Sequence, residues 1–175
     1  MPKILIAVDG SDLALDAVRH TLQLIGDGLR ASVVLANVQE PASLYELVVS
    51  RDPALIAAAS EAAGEDLMAS ARALLDAAGV PYETAVGIGD PGNTLVELIE
   101  SSECDMAVVG ARGQGAISSA LLGSVSQSLA HASPVPVTIV RHAPPQVEPE
   151  DLQEAQQEDA EGGAADVLED FRGGV

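Results

Sequence analysis

Glycines and serines in the fourth fifth of the chain have the types and the spacing of an anion-binding site. Gly110 and Gly113 let the backbone adopt positive φ values and approach a ligand closely. Ser124 and Ser126, which follow Gly123, add hydroxyls that could hold phosphate oxygens or a metal-bound phosphate. Free N–H groups and the positive end of a helix dipole meet at a helix N-terminus, so a phosphate group would be stabilised there. A solvated loop before a helix is the alternative interpretation.

These residues lie in a strand, a glycine-rich loop, a helix and a second strand. The short apolar run at residues 106–109 suits a buried strand, and a second, β-branched run extends from Val135 to Val140. Between them, residues 124–127 have the form S-x-x-Q. This form predicts a capping box, in which Ser124 caps the helix and Gln127 reaches back to it.

Strands and helices alternate along the first 142 residues. The pattern predicts four helices and five strands, with the strands at residues 3–8, 31–38, 82–86, 105–109 and 135–140. Such alternation is typical of an α/β fold with a doubly wound parallel sheet. Ligands of these sheets bind beyond the carboxyl ends of the strands, near the point where the strand order reverses. The predicted site therefore lies at that edge of the sheet.

The glycines and Ser124 also form a longer motif. Gly110-x2-Gly113-x9-Gly123-Ser124 has the form G-2x-G-9x-G-[S/T], the nucleotide signature of the universal stress protein family. The flanking sequences V-V-G-A-R-G, L-L-G-S-V-S and P-V-P-V-T-I-V-R agree with it. Over residues 2–142 the chain resembles the ATP-binding type of this family. The resemblance implies an adenine nucleotide alpha hydrolase-like fold with strand order 3-2-1-4-5.

The same resemblance implies which residues contact ATP. Ribose would lie near Asp9, beside Ala7 and Val8, and adenine would lie near the backbone of Val38. Asp9 could alternatively cap the following helix, and Arg112 could contact a phosphate or remain a solvated loop residue. The other implied contacts are to the phosphates and come from Gly110, Gly113, Gly123, Ser124, Val125 and Ser126. A divalent cation, Mg²⁺, would neutralise those phosphates.

Three other phosphate-binding motifs are disfavoured by single residues. Residues 87–92 match G-x-G-x-x-G, but Pro91 removes an N–H that a pyrophosphate would need, which favours a turn and a helix cap. The only lysine is Lys3 and no G-x-x-x-x-G-K-[S/T] occurs, which excludes a P-loop NTPase. Residues 7–11 resemble the start of a haloacid dehalogenase, but Ala7 replaces the nucleophilic aspartate, so covalent phosphoryl transfer is not expected.

The charge of the protein limits its possible partners, and the distribution of the charge distinguishes two parts of the chain. The net charge is −19, from 27 acidic and 8 basic residues, so neither nucleic acid nor an anionic membrane is an expected partner. Residues 143–175 contain 10 of the acidic residues and one basic residue, Arg172, with little to bury. We expect a domain over residues 1–142 and a disordered acidic tail after it.

Cysteine content and apolar runs indicate the compartment. Cys104 is the only cysteine, so no intrachain disulfide can form. No apolar run reaches the roughly 20 residues that cross a bilayer. Both observations favour a reducing cytoplasm.

The sequence places no residue as a general base. We therefore expect a nucleotide-responsive stress or regulatory protein that binds ATP and acts on an unidentified client protein. The alternatives are a slow ATPase or phosphotransferase that requires a partner, and a structural dimer without nucleotide. The strand from Val135 to Val140 should lie at a sheet edge, where it could pair with a second copy. The family resemblance implies the same homodimer.

Overall fold

The computed structural model describes residues 1–41, 52–113 and 122–142. Within these ranges five parallel strands form a single sheet: β1 (Lys3–Ala7), β2 (Ser32–Gln39), β3 (Tyr82–Ile88), β4 (Met106–Gly110) and β5 (Val137–Val140). Their order is β3-β2-β1-β4-β5, which confirms the expected order 3-2-1-4-5. The strand order thus reverses between β1 and β4. The described residues belong to one compact unit, Met1–His142. The expected acidic tail lies outside the described residues, so the domain boundary stays a prediction.

In the part of the chain that the structure describes, five helical segments cover the two faces of the sheet: α1 (Asp12–Gly26), α2 (Pro53–Leu67), α3 (Ala69–Ala77), α4 (Pro91–Ser101) and α5 (Ser124–Ala132). The alanine-rich helix, predicted as one helix, is divided at Met68 into α2 and α3. The N–H of Met68 lies 3.2 Å from the carbonyls of both Gly64 and Glu65, which tightens the turn there. The Met68 side chain is fully buried in the core.

Side-chain caps start three of the helices. Ser11 Oγ accepts from the N–H of Ala14 at 3.2 Å and starts α1. Asp52 caps α2 and Asp90 caps α4, each with a proline in the first turn, as the sequence predicts. The G-x-G-x-x-G match at residues 87–92 is therefore a turn and a helix cap, which confirms that interpretation.

The core lies on both faces of β1. Ile4 and Ile6 face one side of the sheet, and Leu5 and Ala7 face the other. Residues of α1 and α3 cover the first side, and residues of α4 and α5 cover the second. A strand buried on both faces reads as a continuous apolar run, which explains why β1 is recognisable from the sequence.

The last strand is shorter than predicted. β5 begins at Val137 instead of Val135. Val135 donates its N–H to Ser133 Oγ at 3.3 Å, and Pro136 has no N–H to donate. No helix in the described part of the chain is long and apolar enough to cross a membrane.

Candidate functional site

The ends of β1 and β4 bring Asp9 and the glycine-rich loop together. β1 and β4 pair in parallel, with Ala7 opposite Val109. A Cβ added to Gly113 would fall on Oδ2 of Asp9. The carboxylate after β1 therefore packs directly against the backbone after β4, and a side chain at position 113 would displace it.

The Asp9 carboxylate is held in place by the residue that caps α1. Its Oδ1 accepts from the N–H of Ser11 at 3.0 Å and from the hydroxyl of Ser11 at 2.6 Å. Ser11 is the N-cap of α1, so the alternative in which Asp9 caps this helix is wrong. Asp9 is half-buried and orients the cap, while its other oxygen faces the glycine loop.

Hydrogen bonds to one carbonyl join the two sides of that loop. The carbonyl of Ala111 accepts from the N–H of Gly123 at 2.8 Å and from the hydroxyl of Ser126 at 3.1 Å. Ser126 Oγ also lies 2.9 Å from the carbonyl of Gly123, and the residue is only 1% exposed. The segment between Gly113 and Leu122 lies outside the described residues. Its two flanks are thus fixed next to each other.

The predicted capping box at the start of α5 is wrong. Gly123 is the N-cap, and no side chain caps this helix. Gln127 donates its side-chain amide to the carbonyl of Leu122 at 2.8 Å, instead of reaching back to Ser124. The helix starts one residue earlier than predicted because Gly123 is extended, at φ −68° and ψ 161°, and its carbonyl accepts from the N–H of Gln127 at 3.0 Å.

This start leaves three N–H groups at the N-terminus of α5. Ser124, Val125 and Ser126 are the first helical residues, so their N–H groups have no acceptor within the helix. The Ser124 side chain is exposed, whereas Val125 packs against the core. These groups point out of the N-terminal end of α5, where the helix dipole has its positive end.

Close packing explains why residue 110, at the end of β4, is a glycine. A Cβ on Gly110 would lie 3.0 Å from the carbonyl oxygen of Arg112 and 3.2 Å from that of Leu13. The strand end therefore passes close to the first turn of α1. Arg112 is half-buried, and it lines a shallow depression together with Leu13, Ala111, Val140 and His142.

The backbone of Val38 faces the end of β1. In a parallel sheet the N–H and C=O of one residue point to the same neighbouring strand, and those of the next residue point to the other. Ala36 faces β1, because its carbonyl accepts from the N–H of Val8 at 2.9 Å. Gln39 faces β3, because its carbonyl accepts from the N–H of Gly89 at 3.0 Å. Val38 therefore presents its N–H and C=O on the β1 side, beyond the last paired residue of β1, Ala7.

Two amide side chains at this strand end have contacts that the sequence did not predict. Asn37 is 2% exposed and donates its Nδ2 to the carbonyl of Val8 at 2.8 Å. Gln39 Nε2 donates to Asn37 Oδ1 at 2.6 Å. The available signal was a polar pair at the end of an otherwise apolar strand, since a buried amide needs a partner.

No group of three or more His, Cys, Asp or Glu residues that could hold a metal ion occurs in residues 1–41, 52–113 and 122–142. Asp9 contributes an acidic side chain to the described part of the site, and Ala7 and Val8 beside it are buried, at 8% and 5% exposure. The polar groups that the site offers are therefore mainly backbone groups.

The five-stranded parallel sheet and its strand order define a doubly wound α/β domain of the adenine nucleotide alpha hydrolase-like fold. The sequence model of the universal stress protein family matches residues 1–141. A universal stress protein of Thermus aquaticus is 33% identical over 139 residues, which cover 79% of this chain and 97% of that protein. This chain belongs to the universal stress protein family.

Solved structures agree with this assignment. A universal stress protein crystallised in complex with cAMP has a TM-score of 0.56 and 28% identity, and the match covers 79% of this chain and 95% of that chain. A universal stress family protein of Arabidopsis thaliana, solved with AMP bound, has a TM-score of 0.58 and 21% identity, with coverages of 87% and 99%. At that identity the second match shows the fold alone.

Proposed function

We propose that this protein binds ATP beyond the carboxyl ends of β1, β2 and β4 and acts as a nucleotide-responsive stress protein that regulates a client. The observation that carries the proposal is the contact between Asp9 and Gly113 in front of the N-terminus of α5. The carboxylate that we propose to bind ribose would then lie beside the loop that we propose to bind phosphate. The relative crystallised with cAMP supports an adenine nucleotide as the ligand.

The base would bind to the backbone of Val38. This residue offers one donor and one acceptor side by side, on the side where β1 has ended. Adenine carries a ring nitrogen that accepts next to an amino group that donates, so the two edges are complementary. The ribose would then lie over the end of β1, where Asp9 can accept from its hydroxyls. Ala7 and Val8 would form the apolar floor.

The phosphates would bind at the start of α5. The N–H groups of Ser124, Val125 and Ser126 and the dipole of the helix favour an anion there. Gly110, Gly113 and Gly123 would let the chain approach the phosphates, and Arg112 would add a positive charge. The buried hydroxyl of Ser126 donates to backbone carbonyls, so its part is to hold the flanks of the loop together.

Mg²⁺ would depend on the nucleotide for most of its ligands. It prefers six oxygen ligands, and it is often bound through substrate phosphates and water. Among the described residues, this site offers the Asp9 carboxylate and the exposed Ser124 hydroxyl, which are too few to form a magnesium site alone. We therefore propose that Mg²⁺ enters as the ATP complex, and that ATP affinity rises when Mg²⁺ is present.

The proposed homodimer would form through β5, the last strand of the sheet. The carbonyl of Pro136 accepts from Ala107 of β4 at 2.9 Å, and that of Val140 accepts from Ala111, just after β4, at 2.6 Å. By alternation, the N–H and C=O groups of Val137 and Ile139 point away from β4. The missing N–H of Pro136 is thus on the β4 side, and the outer edge keeps its donors for a second copy.

Two measurements test the nucleotide proposal. Mass spectrometry of the denatured purified protein should detect ATP, ADP or AMP that was carried through purification. Titration calorimetry of the emptied protein should then show saturable binding of ATP with Mg²⁺. A protein that carries no nucleotide and gives no heat with ATP, ADP, AMP or cAMP would contradict the proposal. Release of phosphate during the titration would favour the slow ATPase instead.

A further inference from the structure

The side chain of Asn37 occupies the place of a backbone hydrogen bond. β1 and β2 pair in register from Lys3↔Ser32 to Ala7↔Ala36, and the ladder continues with the N–H of Val8 donating to Ala36. The next bond of a parallel ladder would join the N–H of Val38 to the carbonyl of Val8. In the described structure the Val8 carbonyl instead accepts from Asn37 Nδ2, at 2.8 Å.

The orientation of this amide is fixed from two directions. The Val8 carbonyl can only accept, so the Asn37 atom that it contacts at 2.8 Å must be Nδ2, and Oδ1 is left to accept from Gln39 Nε2 at 2.6 Å. Gly64 of α2 packs over the same side chain, and a Cβ there would lie 3.2 Å from Asn37 Oδ1 and 2.7 Å from Val86 Cγ1. Asn37 is 2% exposed. Asn37 is therefore buried and held in one orientation, in which Nδ2 donates to the carbonyl of Val8.

We infer that Asn37 is a positioning residue that keeps the base-binding edge of Val38 open. By satisfying the Val8 carbonyl, it removes the partner that would draw the Val38 N–H into the ladder. Without this donor the carbonyl would be a buried acceptor lacking a partner, which favours extension of β1 by one residue. The inference rests on the proposed binding of the base at Val38. It implies that the contribution of the base to ATP affinity depends on Asn37.

The substitution Asn37→Leu tests this, because leucine has nearly the same shape and no donor. Amide hydrogen exchange followed by NMR on the full chain without nucleotide gives the first readout. The Val38 amide should exchange rapidly in the original protein and at least tenfold more slowly in the variant. Thr21→Val is the matched control. It removes a different buried side-chain hydrogen bond, from the Thr21 hydroxyl to the carbonyl of Ala17 at 2.9 Å within α1, and should leave exchange of the Val38 amide unchanged.

Calorimetry gives the second readout. Asn37→Leu should weaken ATP binding at least tenfold and leave the affinity for inorganic tripolyphosphate unchanged, since the phosphate end does not involve Val38. An equal loss for both ligands, or no loss for ATP, would overturn the inference. If the original protein binds no nucleotide, the proposed function fails, and the exchange measurement still decides the role of Asn37.

A second variant keeps the test decisive if Asn37→Leu does not fold. Gln39→Leu leaves the Asn37 donor in place but removes the partner that orients it. It should also slow exchange of the Val38 amide, by a smaller factor than Asn37→Leu does. Rapid exchange that is unchanged in Gln39→Leu, or a Val38 amide already protected in the original protein, would contradict the proposed positioning.

Discussion

Oδ2 of Asp9 occupies the place where a Cβ on residue 113 would lie, so Asp9 and Gly113 are in direct contact across the end of the sheet. The contact follows from the strand order, because β1 and β4 are neighbours and both end at this edge. Ser11 holds the other carboxylate oxygen at 2.6 Å, which leaves the aspartate little freedom to move. The glycine at position 113 is thus required by the aspartate, whether or not a ligand is bound.

Gly113→Ala should therefore weaken ATP binding at least about tenfold, which corresponds to about 1.4 kcal/mol. The added methyl group must displace Asp9 from its position beside the loop. Calorimetry with ATP and Mg²⁺ measures the change. Gly26→Ala is the control, because a Cβ there has no heavy atom within 4 Å at the end of α1. Equal affinities in the two variants would remove Asp9 from the proposed site.

Gly123→Ala should affect ATP binding more than it affects the stability of the fold. A Cβ there would make ordinary contacts, 3.5 Å from the Ala111 carbonyl and 3.5 Å from Arg112 Cα. The variant should lose at most about 1 kcal/mol of stability, the usual size of an N-cap effect. It should lose ATP affinity nonetheless, since the proposed phosphates approach this backbone. Unchanged affinity in the folded variant would move the phosphates away from Gly123.

Two serines in one turn of α5 should differ in their effect on stability. Ser126→Ala removes the buried hydroxyl that bonds to Ala111 and Gly123, and should lower the free energy of unfolding by about 1 kcal/mol. Ser124→Ala should change it by less than about 0.5 kcal/mol, because Ser124 is exposed and makes no capping bond. Urea denaturation of both variants checks this. A larger loss for Ser124→Ala would restore the capping box.

The elements of this fold are largely readable from the sequence because their signals are local. β1 is an unbroken apolar run since it is buried on both faces, and Asp52 and Asp90 precede prolines that start helices. The order of the strands is not local. The family resemblance predicted that order, in which β1 and β4 are neighbours. Asp9, after β1, therefore lies near the Gly110 loop, after β4.

The contacts that the sequence did not predict are long-range hydrogen bonds that form in place of local ones. The S-x-x-Q pattern predicts a cap at Ser124, yet Ser126 and Gly123 bond across the loop to Ala111, 15 and 12 positions away. Asn37 bonds to Val8, 29 positions away, in place of a ladder bond. Such partners are set by the packed sheet: a polar pair at the end of an apolar strand signals a buried amide, but the neighbouring residues do not reveal which distant group it bonds to.

Cys104 should react slowly in the folded protein. It is 6% exposed, and burial raises the pKa of its thiol, although Lys3 opposes the rise. A raised pKa leaves less thiolate at any given pH, and the thiolate is the reactive form. A chromogenic disulfide reagent at pH 8 should therefore modify the native protein at least about tenfold more slowly than the denatured protein. Rapid modification of the native protein would contradict the buried position.

The outer edge of β5 can be tested with one pair of variants. Val137→Pro removes an N–H that points away from β4, and Val137→Ala shortens the same side chain but keeps the N–H. In a symmetric antiparallel pair two hydrogen bonds of about 1 kcal/mol each would be lost, so the dimer dissociation constant should rise roughly 30-fold for the proline variant only. Sedimentation measures this constant. A monomer in the original protein would contradict the dimer itself.

Removal of residues 146–175 should leave the affinity for ATP equal or slightly higher. The removed segment contains 10 acidic residues and one basic residue, so it can only repel phosphate. Screening over about 8 Å at physiological salt limits the repulsion, and any gain in affinity should shrink as salt is added. Calorimetry of both chains at low and high salt measures the effect. If the shortened chain lost ATP binding outright, the tail would contribute to the site. Residues 1–142 would then not form a complete binding domain.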